Sequence, residues 1–282
     1  MADLIYPPAL RKGDMIGVFA PGSVIDEDNL KLGRSMVETC GYSVKIHPQT
    51  FKTYNQSAGR PEEKAKAFHE LLLDDEVRAI ICAEGGNRTL HFLNEIDLNI
   101  VYHNPKPIMG YSDCTALLSA VTSQTGIVTF HGPTLTWFAK DSLQQKNRQM
   151  DDTFQTLGGT RSSLDLSGSV SLRSGKGRGP LIGGNNSLIQ KLPHTGWAPD
   201  FDGAILYLED IRDELSWLDR DFWYYREIGL LEKLSGLVLG YFSQGDSGRW
   251  PFGFTLEDIL LEHCRGYDFP IVLHAPFGHE AA

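Results

Sequence analysis

A serine at the corner between a predicted strand and a predicted helix is the first residue whose setting suits chemistry. Ser112 follows the apolar run 107–109 and Gly110, and a helix-like segment begins near Thr115. A sharp strand-to-helix turn exposes a serine hydroxyl and directs backbone N–H groups towards the oxyanion that forms when the hydroxyl attacks a carbonyl carbon. The usual G-x-S-x-G spacing is incomplete because Cys114 replaces its last glycine. Spacing alone therefore leaves a second interpretation open, in which Ser112 caps the helix.

Two backbone N–H groups are candidates for an oxyanion hole. The N–H of Asp113 directly follows the candidate nucleophile. A second donor is expected from the turn Glu84-Gly85-Gly86-Asn87, where the missing side chains let the backbone approach a substrate. We take the N–H of Gly86 as this second donor.

A serine hydroxyl needs a base to take its proton, and the chain has nine histidines. His274 and His279 flank the last predicted strand, and His131 follows an earlier one. Gly278 gives the chain freedom to turn inward just before His279, which favours His279 as the base. The pattern leaves His274 and His131 open as alternative bases. It also leaves open that His279 is only a solvated histidine near the chain end.

The third member of such a relay is a carboxylate that orients the imidazole. Glu209 and Asp210 directly follow the apolar run 204–208. Side chains alternate along a strand, so only one of the two can face a cleft. The alternative is a solvated acidic loop, because Asp213 and Glu214 follow. With Glu209 the order along the chain is Ser112, Glu209, His279.

The elements that must position these residues alternate between strand and helix. A parallel sheet with helices on both faces is expected from such alternation, with ligands at the carboxyl ends of its strands. Ser112 and the paired glycines at 85–86 both fall at such ends. The predicted strands are residues 15–20, 43–46, 79–82, 107–109 and 127–130, and the predicted helices are residues 28–40, 61–73, 89–94 and 115–125.

The composition changes after the first half of the chain. Residues 158–179 are rich in Gly and Ser and poor in large apolar residues, which predicts a linker, with a long surface loop as the alternative. Beyond it we expect strands at residues 204–208, 234–239 and 271–273, and helices at residues 217–228 and 255–264. The sequence thus predicts an N-terminal domain at 1–157, a linker at 158–179 and a smaller α/β domain at 180–282.

Composition excludes several classes of protein. The net charge of −10 disfavours a nucleic-acid partner, which needs a basic surface. The four cysteines form no C-x-x-C pair, and no histidine cluster predicts a metal site. The N-terminus lacks a basic start followed by an apolar core, and no apolar run approaches 18 residues. We therefore expect a cytoplasmic protein without a membrane segment.

Four blocks in a fixed order resemble the LD-carboxypeptidase family of serine peptidases. Residues 106–118 resemble its nucleophile segment, and residues 125–133 resemble the strand that follows. Gly183-Gly184-Asn185 together with residues 205–210 resembles the block with the catalytic glutamate, and residues 277–279 resemble the block with the catalytic histidine.

The resemblance implies a Ser112-Glu209-His279 triad. It also implies a flavodoxin-like N-terminal domain that carries the serine, a C-terminal domain that carries the other two residues, and an active site between them. The expected reaction removes the terminal D-alanine from a murein tetrapeptide in bacterial cell-wall recycling. The expected assembly is a homodimer, and no metal or cofactor is implied.

Two alternatives to this function stay open. The family includes the microcin C immunity peptidases, which cleave an aspartyl-nucleotide amide, and the Gly-Gly-Asn turn at 85–87 resembles that branch. The tryptophan that this branch carries on a loop is absent from residues 169–179. That segment has Arg173, Lys176 and Arg178 instead, which could meet a substrate carboxylate or remain solvated. The other alternative is a catalytically silent protein that binds wall peptides.

Overall fold

The computed structural model describes residues 4–139, 143–161, 163–211, 214–242 and 250–279. The chain forms two compact units, and the division falls between Ser163 and Leu164. Each unit contains a five-stranded sheet with its helices. None of the described helices is both long and apolar enough to cross a membrane.

The N-terminal unit is a parallel sheet with the strand order β2-β1-β3-β4-β5. This is the flavodoxin-like order, in which the strand order reverses beside β1. Its strands are β1 (Met15–Phe19), β2 (Ser43–Ile46), β3 (Val77–Cys82), β4 (Ile108–Gly110) and β5 (Phe130–His131). Its helices are α1 (Glu27–Thr39), α2 (Pro61–Leu73), α3 (Leu98–His103), α4 (Thr115–Thr125) and α5 (Leu143–Leu157).

Local signals explain where the helices of this unit begin and end. The carboxylate of Asp26 accepts hydrogen bonds from two N–H groups in the first turn of α1. Pro61 starts α2, where its fixed φ suits the first turn and its missing N–H costs nothing. Gly126 ends α4 with a φ of 74°, the left-handed conformation that glycine adopts without strain.

The C-terminal unit has the strand order β6-β10-β9-β8-β7. Its strands pair in parallel except for β6, which lies antiparallel to β10. The strands are β6 (Val170–Arg173), β7 (Leu181–Asn185), β8 (Ile205–Asp210), β9 (Gly236–Phe242) and β10 (Ile271–Leu273), and the helices are α6 (Asn186–Ile189), α7 (Leu215–Glu227) and α8 (Leu256–His263). The predicted fold class is confirmed: a flavodoxin-like parallel-sheet unit precedes a smaller α/β unit.

Several predicted elements differ from the observed ones. The fifth strand was expected at residues 127–130, but β5 covers only Phe130–His131, and Ile127 pairs instead with Ile5 near the N-terminus. The expected helix at residues 89–94 is a 3-10 helix, Leu90–Glu95. The segment predicted as a linker contains β6, a strand that the sequence analysis did not predict. The domain limits drawn from composition stay predictions.

Close backbone packing inside the N-terminal unit leads to a first test. A Cβ built on Gly33 of α1 would lie 2.0 Å from the carbonyl oxygen of Leu135, closer than any real contact. We expect Gly33→Ala to destabilise the protein by about 1–3 kcal/mol, because the helix must move away from this segment. Chemical denaturation measures the change, and Leu32→Ala on the exposed face of α1 is the matched control. Equal stability of the two variants would contradict the packing.

Candidate active site

Ser112 lies two residues after the end of β4 in a strained backbone conformation. Its φ is 59°, a left-handed value that a residue with a side chain rarely adopts and that costs on the order of 1 kcal/mol. A short 3-10 turn, Ser112–Cys114, leads into α4, whose N-cap is Cys114. Ser112 is therefore not a helix cap, and the capping interpretation is wrong. The turn presents the serine at the carboxyl end of a central strand instead.

The Ser112 side chain lies directly against the Gly-Gly turn that follows β3. A Cβ built on Gly85 would be 3.0 Å from Cβ of Ser112 and 3.4 Å from its Oγ. Gly86 has a φ of 95°, which only glycine adopts without strain. The absence of two side chains therefore lets backbone approach the serine. The assignment of the N–H groups of Gly86 and Asp113 as oxyanion donors stays a prediction.

The Asp113 side chain ties the serine turn to the segment that follows the paired glycines. Asp113 is buried, with 6% of its surface exposed, and its Oδ2 accepts a hydrogen bond of 2.8 Å from the backbone N–H of Thr89. This contact links the two segments that carry the predicted donors. The carboxylate of Asp113 thus has a structural partner, and only its N–H is available for the predicted oxyanion role.

Cys114 is a nucleophile by residue type, but its surroundings keep it inert. The thiol is buried, and a hydrogen bond with the Cys82 thiol raises its pKa well above the usual value, with burial adding to the effect. A thiol acts as a nucleophile only as the thiolate. The role of Ser112 as the nucleophile of this turn stays a prediction.

A buried lysine lies close to the same turns, and the sequence interpretation missed it. Lys64 of α2 is 1% exposed, and its Nζ donates hydrogen bonds to the carbonyl oxygens of Pro21 at 2.7 Å and Gly22 at 2.9 Å. Burial lowers the pKa of Lys64 to about 8. A signal was present, because Lys64 precedes the buried Phe68 and Leu71 at helical spacing and so falls on the apolar stripe of α2.

In the C-terminal unit the predicted glutamate and histidine are in contact. Glu209 near the end of β8 is 0% exposed, and its Oε2 is 2.6 Å from Nδ1 of His279. A carboxylate only accepts hydrogen bonds, so this contact fits the tautomer with its proton on Nδ1, and the role of His279 as a base stays a prediction. The other carboxylate oxygen, Oε1, accepts a longer hydrogen bond of 3.4 Å from the Asn185 side chain.

The chain just before His279 is held so that the ring meets Glu209. The N–H of Tyr241 donates to the carbonyl oxygen of Phe277 at 2.9 Å. Gly278 has a φ of 113°, and a Cβ built on it would lie 3.0 Å from Cβ of Glu209. A glycine is therefore required both by the backbone conformation and by the close approach.

The two other candidate histidines have different surroundings. His274 follows β10 and is exposed. His131 ends β5 in the N-terminal unit, where its ring lies edge-on to Tyr111 at a centroid distance of 6.5 Å. His279 is the candidate that meets the predicted carboxylate Glu209.

The neighbouring acid, Asp210, has a structural role. Its Oδ1 accepts hydrogen bonds from the Asn185 side chain at 2.9 Å and the N–H of Ile211 at 2.8 Å, and its Oδ2 accepts one from the N–H of Ser187 at 2.8 Å. Asp210 therefore fixes the start of α6, while Glu209 contacts the histidine. The two acids share the Asn185 side chain as a hydrogen-bond donor, but only Glu209 contacts His279.

A further carboxylate, that of the partly buried Asp221, is hydrogen-bonded to α6. Oδ2 of Asp221 accepts a hydrogen bond of 2.7 Å from the Asn186 side chain, whose Oδ1 in turn accepts one of 2.8 Å from the Tyr225 hydroxyl. Burial raises the pKa of Asp221 to about 6, although the Asn186 hydrogen bond opposes the shift. Asp221 thus titrates in a range where most carboxylates are already ionised.

The sequence left open whether Arg173, Lys176 and Arg178 meet a substrate carboxylate or remain solvated, and their surroundings differ. The guanidinium of Arg173 donates hydrogen bonds to the carbonyl oxygens of Tyr267 at 2.7 Å and Cys264 at 2.9 Å. This side chain therefore links β6 to the segment between α8 and β10. Lys176 and Arg178 are exposed. Within the described ranges, no three His, Cys, Asp or Glu side chains are grouped to hold a metal ion.

Comparison with known proteins gives a consistent result for both units. The LD-carboxypeptidase N-terminal domain model matches residues 16–132, and the C-terminal domain model matches residues 178–282. A probable murein peptide carboxypeptidase of Bacillus subtilis strain 168 is 32% identical, over 97% of this chain and 86% of the relative. The Microcin C7 self-immunity protein MccF of Escherichia coli is 27% identical, over 93% and 85%. The crystal structure of muramoyltetrapeptide carboxypeptidase from Oxalobacter formigenes has a TM-score of 0.80 at 26% identity, covering 95% of this chain and 90% of that one.

The contact between His279 and Glu209 can be tested through Gly278. We expect Gly278→Ala to separate the ring from the carboxylate, because the new Cβ would press on Glu209 at 3.0 Å. A proton held between Nδ1 and a carboxylate gives a strongly deshielded NMR signal, which the variant should lose or shift upfield. Gly266→Ala is the control, since a Cβ at that position meets nothing within 4 Å. An unchanged signal in the Gly278 variant would show that the approach is looser than described.

Asp221 leads to a prediction about pH. Its pKa rises from 3.8 to about 6 on folding, so the folded chain binds more protons than the unfolded chain between these values. The free energy of unfolding should therefore fall as pH rises through this window, by about 1–3 kcal/mol. Asp221→Asn removes the titration. In urea denaturation, the free energy of unfolding of this variant relative to that of the wild type should therefore increase between pH 4 and pH 7. Parallel curves, like those expected for the exposed Asp268→Asn, would contradict the prediction.

Proposed function

Because the chain belongs to the LD-carboxypeptidase family, as its four sequence blocks predicted, we propose that it is a serine peptidase that removes the terminal D-alanine from murein tetrapeptides. The observation that carries this proposal is the 2.6 Å contact between Glu209 and His279, which prepares an imidazole as a base. The Ser112 turn supports it, because a strained serine beside paired glycines is what acyl transfer needs.

The first proposed step is the attack of Ser112 on the scissile carbonyl carbon. Nε2 of His279 takes the hydroxyl proton as the Oγ–C bond forms, and the electron pair of the carbonyl π bond moves to its oxygen. Glu209 accepts the hydrogen bond from Nδ1 and stabilises the imidazolium that results. The buried position of Glu209 strengthens this interaction, because little water competes for its oxygens.

The proposed oxyanion donors act on the charge that develops in this step. The N–H groups of Gly86 and Asp113 belong to two turns that Asp113 and Thr89 hold together. Fixed backbone donors need no reorganisation when the charge appears, which is why such groups lower the barrier.

The second half of the reaction releases the products. The C–N bond breaks as the tetrahedral intermediate collapses, and the leaving amine of D-alanine takes the proton from His279. A water molecule then attacks the acyl-enzyme ester, giving its proton to the same imidazole. Collapse of this second intermediate frees the shortened peptide and returns the proton to Oγ of Ser112.

The proposal requires that Ser112 of the N-terminal unit and His279 of the C-terminal unit meet over one substrate. We propose that Ser112, Glu209 and His279 act as one triad in a cytoplasmic homodimer that acts on small peptides without a metal or cofactor. Recycling of wall peptides is the proposed setting.

A second candidate function is supported by a specific feature. Gly85-Gly86-Asn87 resembles the turn of the microcin C immunity branch, and the chain is also similar to the self-immunity protein MccF. The scissile bond would then be the amide of an aspartyl-nucleotide. The same nucleophile and base would serve, since both substrates react at a carbonyl carbon.

The decisive variant is Ser112→Ala. We expect it to lower kcat for a tetrapeptide ending in D-alanine by about 10⁴-fold or more, with an unchanged melting temperature, because no other group at the turn can form the acyl-enzyme. Ser35→Ala, on the exposed face of α1, is the matched control and should keep full activity. Retained turnover by the Ser112 variant would defeat the mechanism.

Substrate choice is tested by product analysis. The protein is incubated separately with tetrapeptides ending in D-alanine or L-alanine and with an aspartyl sulfamoyl nucleotide, and the products are identified by mass spectrometry. Release of D-alanine alone supports the wall-peptide function, and cleavage of the nucleotide alone supports the second candidate. Tight tetrapeptide binding without any cleavage would leave the silent binding protein as the function.

A further inference from the structure

The starting point is the cost of the buried ammonium of Lys64. Lysine is almost never fully buried, because removing its charge from water is expensive unless the charge is paired. Here the two hydrogen bonds that Nζ donates go to the carbonyl oxygens of Pro21 and Gly22 rather than to a carboxylate. A charge held in this way calls for a role beyond packing.

The carbonyl oxygens belong to the loop of residues 21–23, which follows β1 and touches the Gly-Gly turn. The N–H of Ser23 donates to the carbonyl oxygen of Gly85 at 3.0 Å. The Ser23 hydroxyl accepts a hydrogen bond of 3.1 Å from the N–H of Asn87. The loop is therefore hydrogen-bonded to the residue before Gly86 and to the residue after it.

The loop of residues 21–23 and the Gly-Gly turn are in close contact. A Cβ on Gly22 would lie 1.9 Å from the carbonyl oxygen of Gly85, and a Cβ on Gly86 would lie 2.2 Å from Oγ of Ser23. Backbone in such close contact moves together. Any shift of the loop would be passed to the peptide plane that carries the N–H of Gly86.

We infer that Lys64 is a positioning residue for the oxyanion donor: its ammonium fixes the loop of residues 21–23, and this loop fixes the N–H of Gly86 beside Ser112. Lys64 acts through backbone and does not itself contact substrate. The inference rests on the proposed function, because the donor role of Gly86 belongs to it.

The charges around Lys64 make this role sensitive to pH. Burial is the main cause that lowers its pKa to about 8; the negative charge of Asp113 opposes the shift, and the positive charge of Arg88 adds to it. Cys114, the other titratable group nearby, is a neutral thiol in this pH range. Above this pH the neutral amine holds the two carbonyl oxygens more weakly than the ammonium does, since hydrogen bonds from a charged donor are about twice as strong. The turn should therefore loosen at alkaline pH.

The first test replaces the charge by an apolar chain of similar length. Lys64→Met should lower kcat by about 10- to 100-fold while KM changes less than about 3-fold. The reason is that an oxyanion donor stabilises mainly the transition state, so a misplaced donor affects substrate binding little. Lys66→Met is the matched control on the same helix, since the Lys66 side chain is 73% exposed. A Lys64→Met variant that is folded and has wild-type kcat would overturn the inference.

The second measurement is independent of activity. Amide hydrogen exchange should speed up in residues 22–23 and 84–89 of Lys64→Met but not of Lys66→Met. In the wild type the same segments should exchange faster above pH 8 than the pH dependence of the chemical exchange step allows. Unchanged protection in both comparisons would overturn the inference, and the wild-type comparison applies even where Lys64→Met fails to fold.

The third test separates the pH effect from other titrations. Lys64→Arg keeps its charge at all accessible pH values, so its kcat relative to that of the wild type should rise above pH 8. An identical alkaline decline in both proteins would overturn the link to Lys64. If the wild type cleaves none of the substrates, the proposed function fails, while the exchange experiment still decides whether Lys64 holds the turn.

Discussion

The candidate site depends on close packing between backbone segments at the carboxyl ends of three neighbouring parallel strands. The loop after β1, the Gly-Gly turn after β3 and the Ser112 turn after β4 approach so closely that an added Cβ on Gly22, Gly85 or Gly86 would lie within 3.0 Å of a neighbouring segment. Parallel strands bring their carboxyl ends to one edge, and the crossover helices on the faces leave that edge to loops. The glycines then let these loops approach one another, and the backbone of Gly85 lies against the Ser112 side chain.

Buried polar groups favour one arrangement of the side chains in the C-terminal unit, at a cost in stability. Glu209 is removed from water entirely, and the contact with His279 and the longer hydrogen bond from Asn185 compensate in part for the lost hydration. Asp210 satisfies its own carboxylate through backbone N–H groups and the same asparagine. Removing one member of such a network would leave another buried and unpaired, which costs more than the hydrogen bond contributes. The arrangement therefore favours one orientation of the imidazole over its alternatives.

Sequence patterns predicted the elements that local signals define. The helix limits at 61–73 and 115–125 agree with α2 and α4 because Pro61 and Gly126 are strong local start and stop signals. The limits of β5 and the existence of β6 were not predicted, since a strand with two or four residues depends on its partners rather than on its own pattern.

The same distinction applies to the candidate site. Ser112, Glu209 and His279 were selected from motif and order, and the structure shows the local geometry of each. Spacing left open whether Ser112 caps the helix, and only the backbone conformation decided the question. Lys64 was missed because a lysine on a helix is normally solvated, and its role depends on carbonyl oxygens that lie 42 and 43 residues away along the chain.

Lys64 also shows that stability and the proposed chemistry place opposite demands on this fold. Its pKa falls from 10.5 in the unfolded chain to about 8 in the folded chain, so the unfolded chain binds more protons between these values. The contribution of this group to stability is therefore smallest below pH 8 and increases as the pH rises towards 10.5. The hydrogen bonds to the loop have the opposite dependence, because they are strongest while the ammonium keeps its charge. At neutral pH the fold thus accepts a buried charge that lowers its stability, and in return it holds the backbone beside Ser112 in one position.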